Sequence, residues 1–303
     1  MKHIFVVNPK AGGHDHSDAI AAYLHDTEAD AELYRTTGPC DATRFVSQWC
    51  DSHPGEAVRF YACGGDGTLN EVVSGAVGRA EAAVGCLPCG SGNDYVRYWS
   101  DLDFHNIASL IHGHTVPVDV MEVRSSHPVR YCLNTLNFGF EAAVCRIMTE
   151  VRRKPLIGGS MSYTTGIVAS LLTSRRNPCR ITVDGELWQG EPLLLASLAN
   201  GRYAGGGYRC APRAVNDDGL LEVMAIRPMS VPRFARIIGC YKTGEHLDRD
   251  ELRDVVRYRR GSRVTFESDR PFWLAADGEL MQDRRFTVTT LHRAIPFIIP
   301  DKQ

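Results

Sequence analysis

Long apolar runs are absent from this 303-residue sequence, and its net charge is close to zero. The longest apolar stretches, 167–172 and 193–199, fall far short of the roughly 20 apolar residues that cross a bilayer. The short run Ile4 to Val7 is too brief for the hydrophobic region of a secretion signal. A formal charge of −2 gives no general attraction to nucleic acid. The sequence therefore predicts a cytoplasmic protein that binds no nucleic acid and whose membrane contact is peripheral.

A zinc-binding pattern is also absent. The sequence has ten cysteines, but the one close pair is Cys86-Leu87-Pro88-Cys89, with no second pair or histidines at ligand spacing. Without a secretion signal, the cysteines are predicted to be free thiols. The length of 303 residues is more than one hydrophobic core usually needs, so two domains are expected, and a homodimer is left open.

The first third of the sequence alternates short β-rich runs with helical patterns, which is typical of a parallel sheet flanked by helices. Strands are predicted over 4–8, 31–35, 58–63 and 83–87. Three of these strands run into glycine-rich turns, at 9–13, 64–68 and 88–94. Open α/β sheets bind ligands at the carboxyl ends of their strands, so we expect these turns to converge. Thr68-Leu69-Asn70-Glu71 has the pattern of a capping box, which predicts that a helix begins there.

Beyond His114 the pattern changes to longer β-type segments, which predicts a mostly antiparallel second domain. The predicted strands are 116–123, 130–138, 180–183, 193–198, 220–226, 264–266 and 286–290. Asp184-Gly185 and Asp277-Gly278 are dipeptides typical of hairpin turns. Helices are predicted over 141–151, 160–172 and 231–241. The predicted domains are 1–120, a nucleotide-binding α/β domain, and 121–290, a β-rich domain, with the C-terminal strands at about 291–303 allowed to return to the first.

The turn Gly64-Gly65-Asp66-Gly67-Thr68 has the features that a nucleotide phosphate needs. Glycines allow close approach of the backbone, and the amides and dipole of a following helix attract the anion. The Asp66 carboxylate could orient a magnesium ion that bridges the phosphates. A tight turn whose glycines only relieve strain is the alternative. Three aligned turns favour the nucleotide interpretation.

Five motifs resemble the catalytic region of the diacylglycerol kinase and sphingosine kinase family in their order and spacing. They are NPKAG at 8–12, GGDGTLNE at 64–71, GSGND at 90–94, NDDGL at 216–220 and DGE at 277–279. The resemblance implies an ATP-dependent kinase that phosphorylates a hydroxyl of a diacylglycerol- or sphingoid-type lipid. It implies an α/β fold in which an N-terminal domain like that of NAD kinase and phosphofructokinase precedes a mostly antiparallel β domain. Ser91 stands where many family members have threonine. The sequence Gly-Ser-Gly-Asn is also similar to that of sphingosine and ceramide kinases, so this turn does not favour diacylglycerol as the substrate.

The resemblance also implies roles for individual residues. Those implied around ATP are Asn8, Pro9, Lys10, Ala11, Gly12, Thr36, Gly65, Asp66, Gly67, Thr68, Leu69, Asn70, Glu71 and Ser91. Asp66 would lie near the phosphates and magnesium, and Glu279, on the Asp277-Gly278 turn, would be the base that takes the proton of the acceptor. Asp66, Asp277 and Glu279 are therefore the predicted catalytic residues. An auxiliary magnesium ion would be held by Asp218 and by the main-chain oxygens of Val215 and Leu220. Without the resemblance, both acidic turns are ordinary solvated turns.

Two segments have open interpretations. The segment 156–172, with basic residues at 152–154 and 175–176, is either a core helix or a surface that rests on anionic lipid head groups. The glycine-rich loop Gly201 to Gly207 either closes over a substrate or is a flexible connection.

Two alternative functions remain at this level. NAD kinases share a GGDGT loop, so the acceptor could be NAD rather than a lipid. A nucleotide- or lipid-binding regulator without turnover is the third hypothesis, and Asp66 and Glu279 argue against it because a protein that only binds needs no base.

Overall fold

The computed structural model describes residues 1–152 and 175–302, and the side chains of 148–152 are not described. The predicted helix over 160–172 and the basic-edged segment 156–172 lie outside the described residues.

The N-terminal part is a four-stranded parallel sheet in the order β4-β3-β1-β2. Its strands are β1 (Lys2–Val7), β2 (Ala31–Arg35), β3 (Val58–Gly64) and β4 (Ala82–Pro88). Its helices are α1 (Ser17–His25), α2 (Asp41–Ser52), α3 (Asp66–Ala76) and α4 (Ile107–His112), with 3₁₀ turns at Ala11–Gly13 and Tyr95–Trp99. Strand β4 is buried along its whole length, as expected of a parallel strand covered on both faces.

The C-terminal part is antiparallel, as the sequence predicts. Its first strands are β5 (His114–Arg124), β6 (Arg130–Cys132), β7 (Thr135–Gly139), β8 (Arg180–Val183) and β9 (Glu186–Gln189). They are followed by β10 (Leu195–Ala199), β11 (Leu221–Ile226), β12 (Val256–Gly261), β13 (Arg263–Ala276) and β14 (Glu279–Ile299). Two helices, α5 (Phe140–Arg152) and α6 (Val231–Thr243), and 3₁₀ turns at Glu245–Leu247 and Asp250–Leu252 complete the described elements.

Strand β14 joins the two parts into one sheet. Its first half pairs with β13, its second half pairs with β5, and Phe297 bridges to Val84 of β4. The pairing with β5 shifts register between Leu291 and Ile295. Phe297 belongs to the buried cluster around the parallel sheet, whereas Phe286 belongs to the cluster inside the antiparallel part. The domain boundary near residue 120 stays a prediction.

Two local predictions are wrong. Helix α3 begins at Asp66 rather than at a capping box, with Gly65 as N-cap. The carboxylate of Glu71 instead accepts hydrogen bonds from the amides of Cys40 and Ala42, at the start of α2. A tertiary contact therefore takes the side chain that the local pattern assigned to its own helix. The single strand expected over 130–138 is two strands, β6 and β7, which leave a break at 133–134.

Candidate active site

The three glycine-rich turns meet at the carboxyl edge of the parallel sheet. The amide of Cys89 donates a 2.8 Å hydrogen bond to the carbonyl oxygen of Gly64, which joins the second turn to the third. A methyl group on Gly12 would lie 2.3 Å from the carbonyl oxygen of Cys89, and one on Gly90 would lie 2.4 Å from the Cα of Gly65. Backbones this close leave no room for a side chain, so glycine is required at these contacts.

Asp66 opens helix α3 beside the third turn. Its Oδ1 accepts hydrogen bonds from the amides of Asp94 (2.9 Å) and Tyr95 (3.3 Å). Its Oδ2 faces Gly92, where an added methyl group would lie 2.9 Å away. Burial raises the pKa of Asp66 to about 6, and the negative charges of Asp94 and Asp277 add to this effect. The cleft thus contains a carboxyl group that changes charge near neutral pH.

Asp94 connects the third turn to the glycine-rich loop that precedes the NDDGL motif. Its buried carboxylate accepts hydrogen bonds from the amides of Gly206 (2.8 Å) and Gly207 (2.7 Å). The loop 201–207 is therefore drawn to the nucleotide side of the cleft. The sequence placed Asp94 within a motif but assigned it no role, because its partners lie 112 and 113 residues away in the chain.

Asp277 fills the break between β6 and β7. Its carboxylate accepts hydrogen bonds from the amides of Leu133 (2.7 Å), Asn134 (3.1 Å) and Thr135 (2.9 Å), and from Nδ2 of Asn70 (2.8 Å). With these four donors the carboxylate is fully engaged. In this structure it positions the turn and attaches it to helix α3.

Glu279 lies two residues further on, at the start of β14. Its side chain is 51% exposed and forms a 3.0 Å ion pair with Arg130. Asp277 and Gly278 line the cleft described below, whereas Glu279 is not among the described residues that do so. Its role as a base stays a prediction. To take the proton of the acceptor hydroxyl, the Glu279 carboxylate would have to leave its ion pair with Arg130 and contact that hydroxyl instead.

The predicted ATP-binding residues separate into two groups. Asn8 joins the first two turns, since its Nδ2 donates to Oγ1 of Thr68 (3.1 Å) and its Oδ1 accepts from the amide of Lys10 (3.0 Å). The members of this group, at or next to the three turns, are Asn8, Pro9, Lys10, Ala11, Gly12, Thr36, Gly65, Asp66, Gly67, Thr68 and Ser91. The second group faces elsewhere: Leu69 is buried in the core, Glu71 contacts α2, and Asn70 reaches Asp277.

The predicted auxiliary metal site has its carboxylate already paired. Asp218 forms an ion pair with Arg260, and its Oδ1 accepts a 3.0 Å hydrogen bond from the amide of Leu220. Across the described part of the chain, no group of three or more His, Cys, Asp or Glu side chains could hold a metal ion. In this structure the carboxylate of Asp218 is engaged by Arg260 and Leu220, and the roles of Asp218, Val215 and Leu220 around an auxiliary magnesium ion stay predictions.

A cleft of about 500 Å³ leads from these turns into the antiparallel part. Its polar end is lined by Asp66, Ser91, Gly92, Asp94, Asn134, Asp277 and Gly278. Its other end, between α5 and α6, is lined mainly by Phe140, Val144, Cys210, Phe234, Ile238 and Tyr241. One cleft therefore joins a phosphate-type site to an apolar chamber. Within the described residues no helix is long and apolar enough to cross a membrane.

Two family models match the chain. Residues 2–123 match the diacylglycerol kinase catalytic domain, and residues 134–299 match the YegS C-terminal NAD kinase beta sandwich-like domain. The chain belongs to the YegS-like lipid kinase family. This confirms the predicted family and the predicted α/β fold with a β second domain.

Individual relatives agree with the family models. A probable lipid kinase YegS-like of Stenotrophomonas maltophilia is 27% identical over 97% of this chain and 95% of its own length. One from Xanthomonas oryzae pv. oryzae is 30% identical over 86% of this chain and 84% of its own. The crystal structure of a putative diacylglycerol kinase from Bacillus anthracis superposes with a TM-score of 0.73 at 22% identity, covering 98% of this chain and 96% of that one. At that identity the superposition shows a shared fold.

Proposed function

We propose that this protein transfers the γ-phosphate of ATP to a hydroxyl group of a lipid. The observation that carries the proposal is a cleft that has Asp66 and the third glycine-rich turn at one end and apolar walls at the other. A phosphate site needs close backbone amides, and an acyl chain needs apolar walls. Kinases of small soluble acceptors such as NAD have no evident use for the apolar end.

ATP would bind across the three glycine-rich turns. The amides at the start of α3 point toward its phosphates, and the helix dipole favours their negative charge. Phosphoryl transfer asks a protein mainly for positioning and for charge neutralisation. The fixed contacts among Gly12, Cys89, Gly65 and Gly90 provide the positioning, because no loop movement is needed to form them.

Magnesium is proposed to bind at Asp66. Oδ1 of Asp66 is held by two amides while Oδ2 faces Gly92, which also lines the cleft, and a magnesium–ATP complex is commonly held by one or two carboxylate oxygens together with the phosphates. Bound there, the ion would neutralise phosphate charge. Asp66 must be ionised for this role, and its pKa of about 6 makes that form predominant above neutral pH.

A carboxylate must also accept the proton of the lipid hydroxyl. Glu279 is the residue that the family resemblance implies, whereas Asp66, Asp94 and Asp277 are the carboxylates that line the polar end of the cleft. The acceptor is proposed to be a diacylglycerol- or sphingoid-type lipid. Such acceptors lie in membranes, so we propose a cytoplasmic protein that contacts the membrane surface peripherally.

The test is transfer of radiolabelled γ-phosphate from ATP and magnesium onto a mixed lipid extract, with products identified by mass spectrometry. The wild type is compared with Asp66→Ala and Glu279→Gln. A labelled lipid that is lost in both variants supports the proposal. A folded protein that binds ATP and labels no lipid contradicts it, and NAD is then assayed as acceptor.

A further inference from the structure

The glycine-rich loop that precedes the NDDGL motif ends in a short hairpin, residues 204–208, which forms one wall of the cleft. Ala204 and Tyr208 pair through two backbone hydrogen bonds of 2.9 Å, each amide donating to the carbonyl oxygen of the other. Both residues line the cleft together with Gly205-Gly206 between them. The ring centroid of Tyr208 lies 6.5 Å from that of Tyr241 on α6. The 204–208 hairpin therefore reaches the apolar end of the cleft.

The tip of this hairpin has no side chain with which to hold its position. Gly205, Gly206 and Gly207 are consecutive and have positive φ values of 64°, 82° and 102°. Gly205 and Gly206 are exposed to solvent. Glycine has more backbone freedom to lose than any other residue, so a tip made of three glycines keeps one position only if its backbone is held.

Asp94, in the third glycine-rich turn, holds the tip. Its Oδ2 accepts a 2.8 Å hydrogen bond from the amide of Gly206, and its Oδ1 accepts one of 2.7 Å from the amide of Gly207. Nε of Arg97 lies 3.3 Å from the same Oδ1, and Nη2 of Arg97 donates a 3.1 Å hydrogen bond to the carbonyl oxygen of Gly92. The Asp94 side chain is 7% exposed. Hydrogen bonds to a carboxylate are stronger than those between neutral groups, and these two attach the tip to the turn.

The backbone of Asp94 is itself fixed by the nucleotide side of the cleft. Its amide donates a 2.9 Å hydrogen bond to Oδ1 of Asp66, at the start of α3. The base of the hairpin is held from the other side, where Nδ2 of Asn134 donates a 2.9 Å hydrogen bond to the carbonyl oxygen of Tyr203. The base of the hairpin thus depends on the antiparallel part of the molecule, whereas its tip depends on Asp94.

We propose that Asp94 is a positioning residue that holds the 204–208 hairpin in place as a wall of the cleft, and that binding of the lipid depends on this attachment. The inference rests on the proposed lipid kinase function, because it concerns the acceptor of that reaction. A lipid whose reacting hydroxyl lies beside Asp66 extends along the hairpin toward Tyr208. A displaced tip would open this side of the cleft to water, and the lipid would bury less apolar surface. Asp94 takes no part in phosphoryl transfer in this proposal.

The experiment breaks the attachment from either side. Asp94→Asn replaces one acceptor oxygen by an NH₂ group, which cannot accept a hydrogen bond from an amide. Gly207→Ala leaves the carboxylate unchanged but puts a side chain on a residue whose φ of 102° favours glycine. Gly185→Ala is the matched control. Gly185 has a similar φ of 87° in the turn between β8 and β9, has nothing within 4 Å of an added methyl group, and does not line the cleft.

Kinetics, ATP binding and amide exchange are measured for these variants, for the wild type and for the double variant Asp94→Asn/Gly207→Ala. Values of kcat and KM are determined in mixed micelles for a lipid that is labelled in the extract assay. Calorimetric titration gives the Kd for ATP. Hydrogen–deuterium exchange of a peptide that covers residues 201–208 reports directly on the hairpin and needs no substrate.

Both single variants should raise the KM for the lipid by about tenfold or more, because they release the same hairpin tip. Gly207→Ala should leave kcat and the Kd for ATP within about threefold of the wild type, since it leaves Asp94 and the nucleotide turns unchanged. The KM of the double variant should lie within about twofold of that of the more affected single variant, because one attachment can be lost only once. Exchange in residues 201–208 should become about tenfold faster or more in all three variants. Gly185→Ala should match the wild type.

Other patterns overturn the inference. If Asp94→Asn loses activity through kcat while Gly207→Ala keeps the wild-type KM for the lipid, Asp94 acts in the chemistry rather than on the hairpin. Effects that multiply in the double variant would show that the two residues act independently. If Asp94→Asn does not fold, Gly207→Ala decides alone, and an unchanged KM or an unchanged exchange rate contradicts the inference. If no lipid is labelled by the wild type, the proposed function fails together with this inference, whereas labelling with a KM that neither variant changes removes this inference alone.

Discussion

Asp66 combines a functional requirement with a cost in stability. Its pKa in the folded protein is about 6, against an ordinary value of 3.8, so the fold disfavours the ionised form. A carboxyl with a raised pKa contributes stability at low pH and loses that contribution as pH rises through the folded pKa. Above pH 6 the fold therefore holds a charge that it would be more stable without, which is a frequent property of active sites.

Replacing Asp66 by asparagine should separate the two effects. Asp66→Asn keeps an oxygen for the amides of Asp94 and Tyr95 but removes the charge. We expect phosphoryl transfer to fall by at least 100-fold, since no carboxylate remains for the phosphate-bound cation. The unfolding free energy at pH 7.5 should rise on the order of 1 kcal/mol.

Chemical denaturation between pH 4 and 8 checks this prediction. The gain of the asparagine variant should grow as pH rises from 4 to 6 and then stay constant, because the wild-type group ionises over that interval. A gain that is independent of pH would show that the charge of Asp66 is not its cause.

At this scale, the sequence could identify Asp66 but not its neighbours. Asp66 stands in a specific motif, whereas Asp94 was recognised only as one letter of another motif. Glu141 belongs to no motif, and its hydrogen-bond partner Tyr241 lies 100 residues away in the chain. Contacts over 100 residues of chain are invisible to local patterns.

At the scale of elements, the two acidic residues of the 277–279 turn differ in role: Asp277 anchors the turn, whereas Glu279 forms only a half-exposed ion pair. Asp277→Ala would leave the amides of Leu133, Asn134 and Thr135 without their acceptor and should lower the unfolding free energy by about 2–4 kcal/mol. Glu279→Gln removes only a half-exposed ion pair and should change stability by less than about 0.5 kcal/mol.

Urea denaturation of both variants tests this division. Asp277→Asn keeps one acceptor oxygen, and asparagine tolerates the left-handed φ of 46° at this position. Its unfolding free energy should therefore lie between those of Asp277→Ala and Glu279→Gln. An Asp277→Ala variant as stable as the wild type would contradict the anchoring role. A loss of activity in Glu279→Gln would then concern chemistry rather than folding.

The contact between the first and third glycine turns predicts a difference between adjacent glycines. Gly12 and Gly13 both have positive φ, at 63° and 79°, so alanine should cost each position about 1 kcal/mol of stability. Only at Gly12 would the methyl group meet another turn, at the carbonyl oxygen of Cys89. We therefore expect Gly12→Ala to weaken ATP binding at least tenfold.

Calorimetric titration with ATP measures this effect, and Gly13→Ala is the matched control, since an added methyl there has nothing within 4 Å. Equal ATP affinity in the two variants would mean that the turns do not need their close contact. The sequence shows where the glycines are. It does not show which of them pack against another backbone segment, because that depends on how the strands align.

The strands of the parallel sheet and several later ones could be predicted within a few residues, because hydrophobic patterning marks buried segments directly. The segments predicted at 264–266 and 286–290 cover only part of β13 and β14, and β9 and β12 were not predicted. Errors arose where a side chain is used by another element. Glu71 caps α2 rather than its own helix, and the carboxylate of Asp277 interrupts the strand expected over 130–138. Both are tertiary interactions that override a local preference.

For the whole molecule, β14 makes the two halves depend on each other. A chain that ends at residue 290 would lose Ile295, Phe297 and Ile298, which are fully buried. At about 1.5–3 kcal/mol for each side chain, the loss is comparable to the total stability of a typical domain. We expect this truncated protein to be unfolded.

Circular dichroism and thermal unfolding measure the result. A chain that ends at Pro300 is the control, since it removes the exposed ion pairs of Asp301 and Lys302 and one backbone hydrogen bond from Asp301 to Ser109 but none of these buried side chains. It should unfold within a few degrees of the full chain. A folded 1–290 protein would show that β14 is dispensable. The sequence allowed the C-terminal strands to return to the first part, but the parallel bridge from Phe297 to β4 is a non-local pairing that no pattern specifies.

The register shift in β14 has a mechanical consequence. The strand passes from one core to the other as part of a hydrogen-bonded sheet, and its one irregularity among the described pairings with β5 lies between Leu291 and Ile295, where Arg293 has a φ of 50°. A sheet is much stiffer than a linker, so a wide rotation of one half against the other would break strand pairing. Small-angle scattering should therefore give the same radius of gyration with and without ATP. Substrates would then enter and leave through movement of the surrounding loops, over a frame of nearly constant shape.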